Sequence, residues 1–353
     1  MWRPCGVIDD TYEKDLAIVR TPLQWGLMCI GLVLLFLIPL WVSDGQLNTI
    51  NFIAVTVVAL HGVNILTGMT GLITLGQSGF MAVGAYSMVL MAKYWGLSFW
   101  LATPIAMLLT GLVGIVTGLP SLRIKGFYLA LSTLAAQFII PWLIINVRPD
   151  ITGGTDTISV PPPSIGGYQF VTQQSLFYIC MGAAVLATYF ARNIQRSRFG
   201  RAFIAIREND LAAEIMGINI IRYKLTSFLL CSLYAGLAGC LYAAWIRSIN
   251  PDYFSLHESI WYMGMGIVGG LGSVPGVVFG AVLIRGLHIV VTYIGPYLIG
   301  DVGSTTVATA IQTGLGPIIF GLVVLGFLIF EPKGLAQVWE RFKAFYRNWP
   351  FSY

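Results

Sequence analysis

Charged side chains are scarce in this sequence. Asp, Glu, Lys and Arg make up 10% of the 353 residues, hydrophobic residues make up 57%, and the mean hydropathy is +0.79. Soluble domains usually carry about a quarter charged residues, so the composition excludes an ordinary soluble domain. The basic residues are not interleaved with aromatic residues on a polar face, and we therefore expect no nucleic-acid partner.

Motifs for catalysis and cofactor binding are also missing. There is no Gly-Lys dipeptide and hence no P-loop that could cradle the phosphates of ATP. His257-Glu258 is not followed by the second His of a zinc helix, and the three His and five Cys have no metal-ligand spacing. We therefore expect no catalytic residues, no metal and no cofactor in this chain, which is not predicted to be an enzyme.

Long apolar runs are what the sequence does contain, and a bilayer-spanning helix needs about twenty such residues. They predict an all-α, polytopic transmembrane helix bundle of about eight to ten helices, some of them broken at glycine-rich segments. The count has a range because 286–300 is short and 72–92 could be broken or re-entrant. The candidate spans are 23–42, 50–66, 72–92, 97–119, 126–146, 174–191, 225–246, 260–284, 286–300 and 314–330.

The distribution of basic residues predicts the topology. If both termini lie on one side of ten spans, every Lys and Arg except Lys93, Arg148 and Arg247 falls in a segment on that side. By the positive-inside rule that side is the cytoplasm. The first span follows some twenty mixed-charge residues without a clean cleavage site, and we expect it to stay as an anchor. The predicted organisation is a cytoplasmic N-terminal segment 1–22, a transmembrane domain 23–330 with an outer loop 147–173 and a cytoplasmic loop 192–224, and a cytoplasmic tail 331–353.

The cytoplasmic loop is the most distinctive segment. Within it, Leu211-Ala212-Ala213 followed by Gly217 has the spacing of a short helix that ends at a left-handed cap. A helix of this kind on the membrane surface is suited to contact a soluble partner. Its basic residues outnumber its three acids and are Arg192, Arg196, Arg198, Arg201, Arg207, Arg222 and Lys224.

Two glycine-rich segments, 68–86 and 264–280, lie one in each half of the chain. Glycines loosen a helix and let another backbone approach, and paired broken helices in the two halves point to a midplane path in transporters. Tight packing without ligand contact is the alternative. His61 and Asn64 precede the first segment on one helix face, where His61 could form an interhelical hydrogen bond or contact a substrate.

Several blocks carry a family resemblance. Residues 207–218 resemble the coupling loop, or EAA loop, of permease subunits in bacterial ATP-binding-cassette importers, although Leu211 replaces the leading Glu of the motif and its later Leu-Pro is missing. The surrounding sequence from Ile50 to Leu335 is similar to the M-type permease of branched-chain amino-acid uptake systems. The blocks that carry this similarity are 71–77, 123–134, 152–156, 248–255 and 268–280.

The resemblance implies a function and roles for residues. The chain would form the translocation path for branched-chain or other hydrophobic amino acids in a bacterial inner membrane. The implied ATPase-coupling residues are Arg207, Glu208, Asn209, Asp210, Ala212, Ala213, Glu214 and Gly217. Candidate path residues are Asn64, Thr74, Gln77, Ser78, Tyr128, Gly269, Gly270 and Gly272, and Gly153, Gly154 and Asp156 are candidates for contact with a binding protein or for a plug over the pore mouth.

The implied partners are a second, homologous permease in a heterodimer, two ATPase subunits that bind ATP and Mg²⁺, an extracytoplasmic substrate-binding protein, and membrane lipid. Urea, short amides or aromatic carboxylates remain alternative substrates. An ion-coupled carrier or channel is the alternative of a different class, although the apolar spans lack the dense set of acids that a proton relay would need.

Overall fold

The computed structural model of the protein describes residues 22–122, 126–299 and 305–348. Its helices, in chain order, are α1 (Pro22–Leu37), α2 (Asp44–Val63), α3 (Gln77–Trp95), α4 (Phe99–Gly118), α5 (Phe127–Asn146), α6 (Pro149–Thr152), α7 (Gln173–Arg196), α8 (Arg198–Glu208), α9 (Asp210–Ile215), α10 (Ile220–Ile246), α11 (Leu256–Gly269), α12 (Val274–Ile299), α13 (Thr305–Phe330) and α14 (Gly334–Asn348). Short 3₁₀ turns occur at Ile38–Leu40, Leu119–Leu122 and Pro251–Phe254, and a π-helical turn at Asn64–Met69. The predicted all-α bundle is confirmed.

Four two-residue strands form the remaining regular structure of the described chain: β1 (Ile158–Ser159), β2 (Ser164–Ile165), β3 (Tyr168–Gln169) and β4 (Ser248–Ile249). β1 pairs antiparallel with β4, so that Ile158 lies opposite Ile249. β2 pairs antiparallel with β3, with Ser164 opposite Gln169. The first pair connects the segment before α7 to the segment after α10.

Six helices of the described chain are long and apolar enough to cross a membrane, or seven if a pair bent by 49° (Gly316–Phe330 with Gly334–Phe345) is one span. The six are Asp44–Met69, Phe99–Gly118, Tyr128–Asn146, Gln173–Arg196, Ile220–Ile246 and Val274–Val291. The predicted eight to ten also included α1, α3 and α11. Of these, α1 and α11 are shorter than eighteen residues, and α3 carries Gln, Ser, Lys and Tyr side chains. The protein is a polytopic α-helical membrane protein.

Helix α10 lies at the centre of the bundle, packed against α2, α3 and α4. Glycines make these contacts close. A Cβ atom on Gly84 of α3 would collide with the backbone of Gly236, and a Cβ on Gly239 would collide with the carbonyl of Met81. Small residues that let helix backbones approach are the usual basis of helix association in membranes. The core of the bundle is therefore fixed by backbone shape as well as by apolar side chains.

The first glycine-rich segment breaks its helix, as predicted. The π-helical turn Asn64–Met69 continues α2, residues 70–76 are irregular, and α3 starts at Gln77. Two threonine hydroxyls hold the break, since Thr67 donates to the carbonyl of Leu72 and Thr70 to that of Ile65, each at 3.0 Å. Gly71 has φ +76°, a conformation that favours glycine. We call residues 64–79 the first broken segment.

The second break differs from its prediction. We expected spans 260–284 and 286–300 to be separated at Arg285, but α12 runs through Arg285 and the chain instead breaks between α11 and α12. Gly270 and Gly272 there have φ values of +101° and +91°. The glycines therefore decide the position of the break, whereas Arg285 is tolerated inside the helix because it has partners described below. We call residues 269–276 the second broken segment.

The bundle has two ends that carry different structures. The loop end holds α8 and α9, and the strand end holds β1 to β4, with α7 and α10 running between the two. The predicted N-terminal segment lies outside the described residues except for Pro22, as do Arg123, Lys125 and the last five residues of the predicted tail. The described part of that tail forms helix α14.

Candidate functional site

The loop that resembles a coupling loop forms two helices, each capped by a side chain. Ser197 accepts hydrogen bonds at the start of α8, and Asn209 Oδ1 accepts from the amides of Leu211 and Ala212 at 3.0 and 3.1 Å at the start of α9. Such caps stabilise helices that are too short to persist alone. Gly217, with φ +83°, ends α9 as predicted. The short helix and its glycine cap are confirmed.

One side of α9 is anchored to α10. Lys224 Nζ lies 3.0 Å from Asp210 Oδ2, and Lys224 is 4% exposed. Ala213 is buried on the same side of α9. Screening by water and salt is weaker for a buried pair than for an exposed one. Asp210 and Ala213 therefore attach α9 to the bundle and leave the other side of the helix free.

The other side of α9 is apolar and exposed. Leu211 is 67% exposed, Ile215 86% and Met216 81%. We call these three residues the α9 surface. Ala212 and Glu214 are exposed beside them. Large apolar side chains this accessible, outside the spans and at the tip of a loop, are typical of a protein-protein contact.

The loop also contacts both broken segments. Arg207 Nη1 donates to the carbonyl of Gly68 at 2.7 Å, and Asn64 Oδ1 accepts from the amide of Gly272 at 2.7 Å. Gln195, at the end of α7, donates from Nε2 to the carbonyl of Gly272 at 2.8 Å. We call Asn64, Gly68, Gln195, Arg207 and Gly272 the loop-end cluster. It joins α7, α8 and the two breaks at one point.

Arg207 is also paired with its neighbour. Arg207 Nη2 lies 2.7 Å from Glu208 Oε1, and the two side chains are 37% and 68% exposed. An ion pair this exposed contributes at most about 1 kcal/mol to stability. The pair therefore adds little to stability, and the same guanidinium donates from Nη1 to Gly68.

A second polar group lies near the middle of the bundle, at the start of α3. The amide of Ser78 donates to Ser259 Oγ at 2.9 Å, and that of Gly79 donates to Gln137 Oε1 at 2.7 Å. Ser259 Oγ donates to Gln137 Oε1 at 3.0 Å, and Gln137 Nε2 donates to the carbonyl of Phe254 at 2.8 Å. These five residues form the central network, which satisfies amides that a helix start leaves unpaired.

The predicted path residues Thr74 and Gln77 are buried beside the central network. Thr74 Oγ1 accepts from the amide of Gly76 at 3.2 Å. Gln77 Nε2 donates to the carbonyl of Ala59 at 2.8 Å, and Cys231 Sγ donates to Gln77 Oε1 at 3.3 Å. Thr74, Gln77 and Ser78 are thus brought together at one level of the bundle, and each is bonded to protein.

The other predicted path residues are divided between two places. Asn64 and Gly272 belong to the loop-end cluster, and Gly269 and Gly270 pack beside it. A Cβ on Gly269 would collide with the carbonyl of Gly276, and one on Gly270 would lie 2.5 Å from the carbonyl of Lys333. Tyr128 is separate from both groups and is 70% exposed. The predicted set therefore does not form a single lining.

The predicted binding-protein residues lie at the strand end. Gly153 and Gly154 have φ values of +71° and +58° and form the turn in which the amide of Asp156 donates to the carbonyl of Gly153 at 2.9 Å. Asp156 is exposed. Asn250 Nδ2 donates to the carbonyl of Thr155 at 3.2 Å, which holds this turn against the segment after α10. Their role as a contact stays a prediction.

His61 is fully buried and makes an interhelical contact. Its Nε2 lies 2.8 Å from Thr188 Oγ1 of α7, and its Nδ1 has no hydrogen-bond partner among the described residues. This contact matches the structural alternative raised by the sequence, an interhelical hydrogen bond.

An ion pair between α11 and α12 was not predicted from the sequence, because the predicted spans 260–284 and 286–300 leave Glu258 and Arg285 outside them. Arg285 Nη2 lies 3.1 Å from Glu258 Oε2, with side-chain exposures of 6% and 30%. The guanidinium also lies 3.9 Å from the ring centre of Phe52 and donates to Thr56 Oγ1 at 3.3 Å. The pair joins α2, α11 and α12. Arg285 between two apolar runs, with Glu258 just before the first of them, was the signal that could have indicated it.

Gln137 and Ser259 were missed as well. Gln137 lies inside the predicted span 126–146, where a polar residue usually faces the protein interior, and Ser259 directly precedes the predicted span 260–284. No group of three or more His, Cys, Asp or Glu that could hold a metal occurs among residues 22–122, 126–299 and 305–348. The contacts described above are hydrogen bonds, a few ion pairs and close backbone contacts.

Comparison with known proteins identifies relatives. Residues 46–330 match the family described as "branched-chain amino acid transport system / permease component". The chain is 32% identical over 270 residues to the high-affinity branched-chain amino acid transport system permease protein LivM of Salmonella typhimurium, a match that covers 70% of this chain and 63% of LivM. It is 32% identical over 277 residues to LivM of Escherichia coli K12, covering 72% and 65%.

A more distant relative is the probable branched-chain amino acid transport permease protein LivH of Methanocaldococcus jannaschii, 26% identical over 282 residues, which cover 76% of this chain and 84% of LivH. The chain spans slightly less than two thirds of the length of the two LivM proteins. No solved structure matches the chain.

Proposed function

The chain belongs to the family of permease components of branched-chain amino acid transport systems, and from this premise we propose that it is a transmembrane permease subunit of an ATP-binding-cassette importer. It forms the path for branched-chain or other hydrophobic amino acids across a bacterial inner membrane. ATP and Mg²⁺ are bound by partner subunits.

The observation that carries the proposal is the α9 surface. Leu211, Ile215 and Met216 are exposed, while Asp210 and Ala213 on the other side attach α9 to the bundle. Such a helix can insert its apolar side chains into a groove of a soluble partner. Because it is anchored to α10, a push from that partner is transmitted to the spans.

The remaining partners are those that an ATP-binding-cassette importer of this kind requires. Two ATPase subunits bind at the loop end of this chain and of a second, homologous permease. An extracytoplasmic binding protein delivers substrate at the strand end, where Asp156 is exposed beside Gly153 and Gly154. Similarity to both LivM and LivH supports pairing with a homologous chain. The loop end is then cytoplasmic.

The proposal is tested by purification of the full complex in detergent. The expected result is that ATPase subunits and a second permease co-purify with this chain, and that a binding protein loaded with L-leucine stimulates ATP hydrolysis. Ile215→Asp is expected to weaken ATPase retention about tenfold, since a charge replaces an apolar anchor at the centre of the contact.

A matched control places the same change at the opposite end. Tyr168 of β3 is 62% exposed, and Tyr168→Asp is expected to leave ATPase retention unchanged. Purification of the chain alone, together with L-leucine movement in liposomes without ATP, would favour a carrier or channel and overturn the proposal.

A further inference from the structure

Arg207 contacts the loop end of the bundle, although it belongs to the loop that is proposed to receive the ATPase. Its Nη1 lies 2.7 Å from the carbonyl of Gly68, and a Cβ added to Gly71 would lie 2.8 Å from its side chain. The α9 surface, by contrast, points away from the bundle. The two parts of the loop therefore have different contacts, one with the spans and one outward.

The carbonyl of Gly68 lies at a helix end, where backbone carbonyls lack partners within the helix. It belongs to the π-helical turn that ends α2, where the amide of Leu72 reaches back to the carbonyl of Leu66 at 3.1 Å. The last carbonyls of a helix have no partner within the helix, and a cation at this end stabilises them. Arg207 supplies both the donor and the charge.

The two broken segments meet at this same point. A Cβ on Gly68 would collide with the amide nitrogen of Gly272, so the two backbones are in direct contact. Gly272 donates to Asn64 and accepts from Gln195, and a Cβ on it would lie 3.1 Å from Arg207 Nη1. A displacement of Arg207 therefore acts on both breaks at once.

The broken segments lead directly to the central network. Seven irregular residues, 70–76, connect the loop-end cluster to α3, whose first amides are bound by Ser259 and Gln137. On the other side, Gly272 follows α11, the helix that carries Ser259. Both partners of the Ser78–Ser259 hydrogen bond are thus on segments that end at the loop-end cluster.

We infer that Arg207 is a positioning residue that transmits movement of the loop to both broken segments, through its hydrogen bond to Gly68, whose backbone is packed against that of Gly272. This inference rests on the proposed function and adds that two parts of the loop have different roles. The α9 surface receives the ATPase, and Arg207 passes the movement to the spans.

The test uses the complete importer reconstituted in liposomes and measures radiolabelled L-leucine taken up per ATP hydrolysed. Arg207→Gln removes the cation and shortens the side chain. We expect ATPase subunits to co-purify as with the wild type, ATP hydrolysis to continue, and the uptake per ATP to fall about tenfold, a size typical of coupling between sites.

Two variants separate transmission from simple folding. Arg207→Lys keeps a donor for Gly68 and is expected to restore part of the uptake per ATP. Gln195→Ala removes one hydrogen bond to Gly272 and is expected to lower the same ratio by a smaller factor. The matched control is Arg201→Gln on α8, because Arg201 Nη1 donates to the carbonyl of Arg196 within the loop and not to a broken segment.

The outcomes distinguish the inference from the proposed function. If Arg207→Gln loses ATPase subunits or retains wild-type uptake per ATP, the inference is wrong and the proposed function stands. If Arg201→Gln uncouples as strongly as Arg207→Gln, transmission is not specific to Arg207. If the wild-type chain binds no ATPase, the proposed function fails first.

Discussion

The two broken segments of the bundle are held by different interactions. The first, 64–79, is held by side chains, since Gln137, Ser259 and Thr133 all bond to its backbone. The second, 269–276, is held mainly by backbone contact, because Gly269 lies against Gly276 and Gly280 too closely for any Cβ. In the described chain, its bonds to side chains of other helices are those of Gly272. Both are irregular stretches in an apolar environment, where unpaired backbone groups are costly.

The difference in how the two breaks are held suits them to different roles. A hydrogen-bonded break has donors and acceptors that can exchange a protein partner for water or for a polar solute. At the glycine-packed break, the amide and carbonyl of Gly272 bond to Asn64 and Gln195, and flat glycine surfaces permit close contact and relative movement. Side-chain partners of the backbone are therefore more numerous at the first break, and the second contributes mainly shape.

Among three substitutions that test how the two breaks are held, removal of Gln137 is expected to lower the free energy of unfolding most. Gln137→Leu leaves the amide of Gly79, the hydroxyl of Ser259 and the carbonyl of Phe254 without their partner. At about 1 kcal/mol for each group, the free energy of unfolding falls by about 3 kcal/mol. The measurement is thermal unfolding of the detergent-solubilised chain, and an unchanged Tm would show that the central network does not hold the first break.

A methyl group at Gly280 tests the second break. Its Cβ would collide with the carbonyl of Met265 and lie 2.9 Å from Gly269 Cα. Gly280→Ala is expected to lower the free energy of unfolding by about 2 kcal/mol, as overpacking usually does. The control is Gly286→Ala in the same helix, where a Cβ meets nothing within 4 Å. This control is expected to be neutral or to stabilise by about 0.5 kcal/mol, so equal losses in both variants would contradict the packing explanation.

Ser259→Ala is expected to have the smallest effect of the three on the free energy of unfolding. It removes the acceptor for the amide of Ser78 and one donor to Gln137, and should lower the free energy of unfolding by about 1 kcal/mol. Combined with Gln137→Leu, its effect should be less than additive because the two residues share a hydrogen bond. Strict additivity in this double-mutant cycle would show that the central network does not act as a unit.

The parts of the fold that depend on local sequence were predictable. The short helix α9 and its end at Gly217 follow from residues a few positions apart, and the break after α2 follows from its glycines. The boundary placed at Arg285 was wrong because a charge inside an apolar run can end a helix or be paired within the bundle. Which of these occurs depends on Glu258, Thr56 and Phe52, which lie on other helices.

The site was less predictable for the same reason. The sequence singled out Asn64, Gly272 and Arg207, but their contacts join residues far apart in the chain: 208 positions separate Asn64 from Gly272, and 139 separate Arg207 from Gly68. A single sequence carries no signal for such pairs. Gln137 and Ser259 were passed over because neither belongs to a glycine-rich block, although Gln137 is a polar residue in an apolar run and Ser259 directly precedes one.

The partly buried pair of Lys224 and Asp210 has a consequence for handling the protein. A wash with about 1 M salt shortens the screening length to about 3 Å and releases partners that are held by exposed charges. The attachment of α9 to α10 is shielded from that wash because Lys224 is 4% exposed. Partners stripped in this way would leave behind a loop that still has its shape, ready for reassembly when the salt is removed.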